Sequence, residues 1–178
     1  MLKKILIIGL IFFGTVSRAL AGFYMGPLVA YESIKSHSVS YLDINPRLSL
    51  GYGDVIRDSA YLAGEIFLGP KSFTVKNGAN DDGSLTTSYS YGFSLLPGFC
   101  LDEVILAYAR LGIIATHFDN SNVDLTRRGY QAGAGLQGDL SASWSIRGEY
   151  THTSYVEVDG LGKPRADQYA VGLVYHLS

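Results

Sequence analysis

In the stretch Thr151-His152-Thr153-Ser154-Tyr155 a base and a nucleophile stand two residues apart. A serine hydroxyl attacks well only when a neighbouring imidazole takes its proton, and a third group must orient that imidazole. Glu157, Asp159 and Asp167 follow as possible acidic partners. A second group of residues carries charge: Arg47, Glu65, Arg110, Arg147 and Glu149. Opposite charges confined together either pair and hydrogen-bond or line an ion path, and pairing is the expectation here. Asn80, Asp81 and Asp82 cluster in "NGANDDG". They lack the spaced acids and terminal Glu of a calcium loop, so they read as a solvated turn. Cys100 is the single cysteine, which leaves no internal disulfide. It reads as a packed small residue rather than a nucleophile. No metal site and no cofactor are expected.

What positions these groups is alternation with period two, the signature of strands. In residues 41–53, Leu42, Ile44, Pro46, Leu48, Leu50 and Tyr52 share one face, and Asp43, Asn45, Arg47 and Ser49 share the other. In residues 130–140, Tyr130, Ala132, Ala134, Leu136 and Leu140 oppose Gln131, Gln137 and Asp139. The pattern predicts eight strands, at roughly 23–33, 40–53, 60–76, 86–99, 103–117, 127–140, 143–155 and 166–177. Short links at Cys100-Leu101-Asp102 and residues 140–143 alternate with longer ones, "KNGANDDGSLTT", "HFDNSNVDLTRR" and "YVEVDGLGKPRA". Short turns at one end and long loops at the other are the layout of an outer-membrane barrel. The long links predict protease-accessible sites at Lys76, Arg127, Arg128 and Lys163 on the cell surface.

Composition agrees. Charged residues make up 17% of the chain, against 21 Gly and 13 Tyr. Ordinary domains carry about 25% charged residues. A net charge of −2 gives no footprint for nucleic acid. Lys3 and Lys4 precede an apolar run, Ile5 to Phe13, far shorter than the ~20 residues of a spanning helix. Ala19-Leu20-Ala21 supplies the small residues of a cleavage site. Residues 1–21 therefore read as a secretory signal peptide cut before Gly22, and residues 22–178 as the barrel domain.

With apolar groups facing lipid and polar groups facing a narrow interior, closure satisfies every backbone N–H and C=O. By parity Arg47, Glu65, Arg110, Arg147 and Glu149 face inward. Eight strands leave room for side chains only, so these residues predict a polar plug rather than a pore. The tyrosines and Trp144 predict interfacial girdles. His152 and Ser154 share the lipid-facing parity near the outer end of their strand.

The segments "GFYMGPLVAY", "NPRLSLGYG", "YGFSLLPGF", "YARLGI", "YQAGAGLQGDLSASWSIRGEY" and "DQYAVGLVYHL" resemble the OmpA-like and Opa-like outer-membrane β-barrel family over residues 22–178. That resemblance implies an eight-stranded up-and-down barrel in a Gram-negative outer membrane, with no peptidoglycan-binding domain after it. Its partners would be outer-membrane lipid, lipopolysaccharide and the barrel-insertion machinery, with a host or extracellular ligand at the loops and a monomeric state. The chain departs from the pattern by ending Tyr175-His176-Leu177-Ser178 instead of on an aromatic residue. The His-x-Ser placement also resembles lipid A deacylases of the PagL type, with Tyr155 where those enzymes have Asn. The expectation is a non-enzymatic protein that acts through its outer loops in adhesion, host contact or envelope stabilisation. A lipid A-modifying enzyme and a narrow pore stand as alternatives.

Overall fold

The computed structural model describes residues 22–36, 39–70, 73–76, 86–120, 123–156 and 165–177. The predicted signal peptide lies outside the described residues, as do Asn80, Asp81, Asp82, Glu157, Asp159 and Lys163. The strands are β1 (Gly22–Ser36), β2 (Val39–Arg57), β3 (Ala60–Gly69), β4 (Phe73–Lys76), β5 (Thr86–Cys100), β6 (Ile105–Asn120), β7 (Val123–Asp139), β8 (Trp144–Tyr155) and β9 (Arg165–Leu177). All pairings are antiparallel, and β1 pairs with both β2 and β9, so the sheet closes on itself. β3 and β4 lie one after the other along β2 and make a single stave, which gives an eight-stranded barrel.

Three expectations need correction. The strand predicted over 60–76 stops at Gly69 and resumes at Phe73. Pro70 intervenes, and proline has no N–H to give to a ladder. The link predicted over His117–Arg128 is mostly strand: His117 pairs with Thr126, Phe118 with Leu125 and Asn120 with Val123. Turn-forming residues mark where a chain can reverse, but past the lipid boundary polar residues extend a ladder without penalty. β2 also runs beyond the predicted end at 53 to Arg57 and reverses at Asp58, whose φ is +48°. Aspartate tolerates this left-handed geometry because its short side chain bonds its own backbone.

The alternation sorts the faces. Leu136 is 57% exposed and its neighbour Gln137 only 2%. Phe23, Tyr52, Phe99 and Trp144 project outward near the end that carries the short turns. Tyr31, Tyr89, Tyr91, Tyr130, Tyr150 and Tyr169 project outward toward the other end. The ten steps from Tyr89 to Phe99 rise ~34 Å along the strand, or ~26 Å at a ~40° tilt, close to the ~25 Å apolar band of such barrels.

Inside, the lumen is layered. Tyr24, Tyr61, Ala63, Leu96, Cys100, Leu106, Tyr108 and Val174 form an apolar floor at the short-turn end. The inner face is thus less uniformly polar than its sequence suggests. Aromatic rings fit because glycines oppose them: a Cβ at Gly51 would strike the Tyr24 ring, and one at Gly135 the Tyr108 ring.

Candidate functional site

Two constellations answer to the chemistry in the sequence, one in the lumen and one on the outer wall. In the lumen, Glu65 from β3 and Glu149 from β8 face Arg110 from β6 and Arg147 from β8. Arg110 Nη2 donates to Glu65 Oε1 at 2.6 Å and to Glu149 Oε2 at 3.0 Å. Arg147 Nη1 donates to Glu65 Oε2 at 2.6 Å, and Arg47 Nη1 to Glu149 Oε1 at 2.8 Å. All five side chains are buried. The structure therefore brings together every lumen residue read from parity.

The network has further members beyond these five charges. Tyr24 donates its hydroxyl to Glu65 at 3.1 Å, and Tyr108 donates to Glu149 at 2.9 Å. Gln137 Oε1 accepts from Arg147 Nε and Nη2, and Ser94 Oγ accepts from Arg110 Nη1. The Arg147 guanidinium also lies over the rings of Tyr24 and Tyr108, at 5.1 and 5.4 Å from their centroids. The available signal was an inward tyrosine beside an inward glycine on the neighbouring strand. Toward the short-turn end, Ser145 donates to Asp139 Oδ1 at 2.7 Å and lies 2.9 Å from His176 Nε2. His176 thus faces inward and ties β9 to β8.

Among the described residues little open space is left beside the network. A cavity above the network, between Glu32, Arg47, Phe67 and Tyr155, measures about 10 Å³. That is about the volume of one water-sized sphere.

On the outer wall, β8 and β9 place His152 directly opposite Asp167. His152 Nδ1 lies 2.8 Å from Asp167 Oδ1, and Ser154 Oγ lies 3.4 Å from His152 Nε2. An ionised carboxylate only accepts, so Nδ1 carries the proton and Nε2 turns its lone pair toward the serine. Tyr150 donates its hydroxyl to the same Asp167 oxygen at 2.8 Å. Of the three acids proposed for His152, the described residues thus supply Asp167. Oxyanion stabilisation needs donors aimed at the developing charge. The backbone around Ser154 belongs to strand ladders on both sides. Tyr155 turns inward, where its hydroxyl meets Thr116 Oγ1 at 3.1 Å.

A closed eight-stranded barrel with an aromatic-edged apolar wall and a charged interior is now in place. The family model described as outer membrane protein beta-barrel domain matches residues 7–176. The chain belongs to this outer membrane β-barrel family. It is an outer-membrane protein of the Gram-negative envelope. No curated protein matches the chain. Among solved structures it is similar to Neisserial surface protein A, with TM-score 0.68 and 19% identity, covering 88% of this chain and 98% of that one. It is also similar to Ail, the attachment invasion locus protein of Yersinia pestis, in complex with the heparin analogue sucrose octasulfate. That match has TM-score 0.60 and 15% identity, covering 88% of this chain and 99% of the other. The outer membrane enzyme PagL matches with TM-score 0.50 and 16% identity, over 84% of this chain and 99% of that one. At these identities the likeness is one of fold, which fits proteins with and without catalysis.

Proposed function

We propose that this barrel acts at the cell surface, through its loop end, as a non-enzymatic contact or envelope-stabilising protein and not as a conduit. The observation that carries this reading is the filled lumen. Three arginines and two glutamates interlock across the bore, above an apolar floor. With the interior closed, what remains to meet a partner is the outer wall and the loop end. In this reading the loop end faces outward and the short turns face the periplasm, as in barrels of this kind.

The test is binding by the whole purified barrel in lipid nanodiscs to envelope and host components. A sulfated polysaccharide is the first ligand to try, because Ail was solved with a heparin analogue. Saturable binding that is lost when the 77–85 and 157–164 links are replaced by short glycine-serine turns is the expected result. Binding that survives both replacements, or none to any component, defeats the reading.

A second reading has its own observation. Ser154, His152 and Asp167 stand in the order of nucleophile, base and orienting acid, beside lipid, and can attack an acyl ester of an outer-leaflet lipid. The oxyanion would need donors from outside the strand ladder. Mass spectrometry of lipid A from cells with the protein, with Ser154→Ala and without either separates the readings. Loss of one acyl chain that depends on Ser154 establishes the hydrolase. Identical lipid A in all three leaves the contact protein.

A further inference from the structure

We propose that the lumen just above the charged network is a site for one dehydrated alkali-metal cation of potassium size, held by Glu32, Asn45 Oδ1, Ser90 Oγ and Gln131 Oε1. The site lies inside the wall and goes beyond the reading above, since it does not depend on what the loop end contacts.

The place is the small cavity described above, which Asn45, Ser90 and Gln131 also border. The four donors come from β1, β2, β5 and β7, so no spacing along the chain announces them. Glu32 follows Tyr31, one of the outward tyrosines toward the loop end, which puts the cavity at that end of the bore. Glu32 is 7% exposed, and among the described residues it has no salt-bridge partner. Asn45 Nδ2 donates to its Oε2 at 3.2 Å. That bond fixes the amide, so Asn45 Oδ1 points away from Glu32, and it has no hydrogen-bond partner among the described residues. Gln131 repeats the arrangement: its Nε2 donates to Thr153 at 3.2 Å, and its Oε1 has no such partner. These two amides are only 6% and 4% exposed. A Cβ at Gly69 would lie 2.5 Å from Ser90 Oγ and 3.1 Å from Asn45 Oδ1, so both oxygens stand around a corner that the glycine leaves open.

Buried acceptors of this kind require a partner. The volume of about 10 Å³ takes a single occupant of water size. A water molecule has two hydrogens to give, whereas the carboxylate and the two amide oxygens call for at least three. Nearby donors are committed: Arg47 Nη1 to Glu149, and the hydroxyls of Thr116 and Tyr155 to each other. A bare cation meets all the oxygens at once, as carbonyl oxygens replace the hydration shell of an ion in a selectivity filter. Oxygen donors without nitrogen or sulfur suit a hard ion. Charge then chooses among hard ions. One carboxylate of the donor set faces the cavity, and Arg47 borders it with its guanidinium 5.0 Å over the Phe67 ring. Calcium sites gather several carboxylates, and a double charge beside an arginine is poorly matched here. Asp43, opposite Glu32 on β2, has contacts of its own and is not in the donor set. A space that admits a water-sized sphere fits potassium better than the smaller sodium.

Crystals of the whole barrel grown in rubidium chloride, with diffraction recorded at the rubidium absorption edge, test the site at equilibrium on the unaltered chain. One anomalous peak among Glu32, Asn45, Ser90 and Gln131 is expected. No peak there leaves a water molecule in the cavity and overturns the proposal. Urea titration in lipid vesicles at constant ionic strength supplies the second reading, with potassium chloride compared against tetramethylammonium chloride, whose cation is too large to enter. An ion that binds only the folded barrel raises its folding equilibrium constant. Wild type is expected to gain at least about tenfold in potassium, and Glu32→Gln less than about twofold. Heat-modifiable gel migration confirms that the variant is folded. Equal gains in the two proteins amount to a general salt effect and overturn the site, as does no gain in wild type. A gain that appears with calcium chloride and not with potassium overturns the assignment of a single charge.

Discussion

Glu65 accepts from two arginines and a tyrosine and is fully buried. Removing such a carboxylate leaves Arg147 without its buried ion pair and Arg110 with Glu149 alone, which costs about 3–5 kcal/mol. Glu65→Ala is therefore expected to lower the unfolding free energy of the barrel in lipid vesicles, read by urea titration, by that amount, and Glu65→Gln by less, because the amide oxygen still accepts. An unchanged titration for Glu65→Ala would mean that the pairs contribute nothing. Gly135 is a second sensitive point. A methyl group there collides with Tyr108, the donor to Glu149, and overpacking of this kind costs about 1–3 kcal/mol. Gly135→Ala should show that loss in the same titration, and full stability would mean that the ring relaxes freely. The five lumen charges were legible because parity alone sends them inward. Tyr24 and Tyr108 were not, because a tyrosine at inner parity reads equally well as filler until the opposing glycine is known.

The strand scale turns on parity. Leu136 faces lipid, so Leu136→Arg is expected to lower stability by about 1–3 kcal/mol, short of the midplane cost. Sequence alone suggests that Gln137→Arg is milder, since it exchanges one polar group for another. The structure reverses that expectation, because Gln137 Oε1 accepts two bonds from Arg147 and an arginine there sets cation against cation. The informative pair is Leu136→Arg with Gln137→Glu, which keeps an acceptor beside Arg147 and should stay within about 1 kcal/mol of wild type. A damaging Gln137→Glu with a harmless Leu136→Arg in vesicle refolding would invert the faces. Strand existence and face were readable because lipid and lumen impose opposite demands on alternate residues. Strand ends were not, because beyond the membrane both faces are polar and the alternation fades. The extension of β6 and β7 to Asn120 and Val123 is the clearest case.

At the scale of the molecule, the filled bore predicts no stepwise conductance in planar bilayers. Channels in wild type that persist after detergent controls would refute the plug. The long ladder between β6 and β7 also alters the surface map. Arg127 and Arg128 pair with Thr116 and Ala115, and Lys76 with Leu42, so trypsin on intact cells should spare all three and cut at Lys163. Cleavage that requires a permeabilised outer membrane would mean that the loop end faces the periplasm. The closed barrel was legible as a whole because strand length, alternation and turn spacing point the same way. On the outer wall His152 and Ser154 were legible as a pair, with Glu157, Asp159 and Asp167 as possible acids. Asp167 joins them because β9 falls into register with β8, and pairing register is not written in either strand alone.

The seam where β1 meets β9 brings Phe23 opposite Leu177. Among the described residues these are nearly as far apart in chain order as two can be, so the contact that completes the ring is also the one with the longest loop to close. Until it forms, the first and last strands are both bare edges, and a half-closed sheet has no stable resting place in lipid. Yet the ring itself carries no memory of where the chain began. Joining residues 22 and 177 through a short linker and opening the chain between Ser141 and Ala142 would move the seam to β7 and β8. The same set of pairings would be reached by a different order of events. Such a permuted chain should match the parent in urea midpoint while differing in its rate of insertion, which would separate what stabilises the ring from what assembles it.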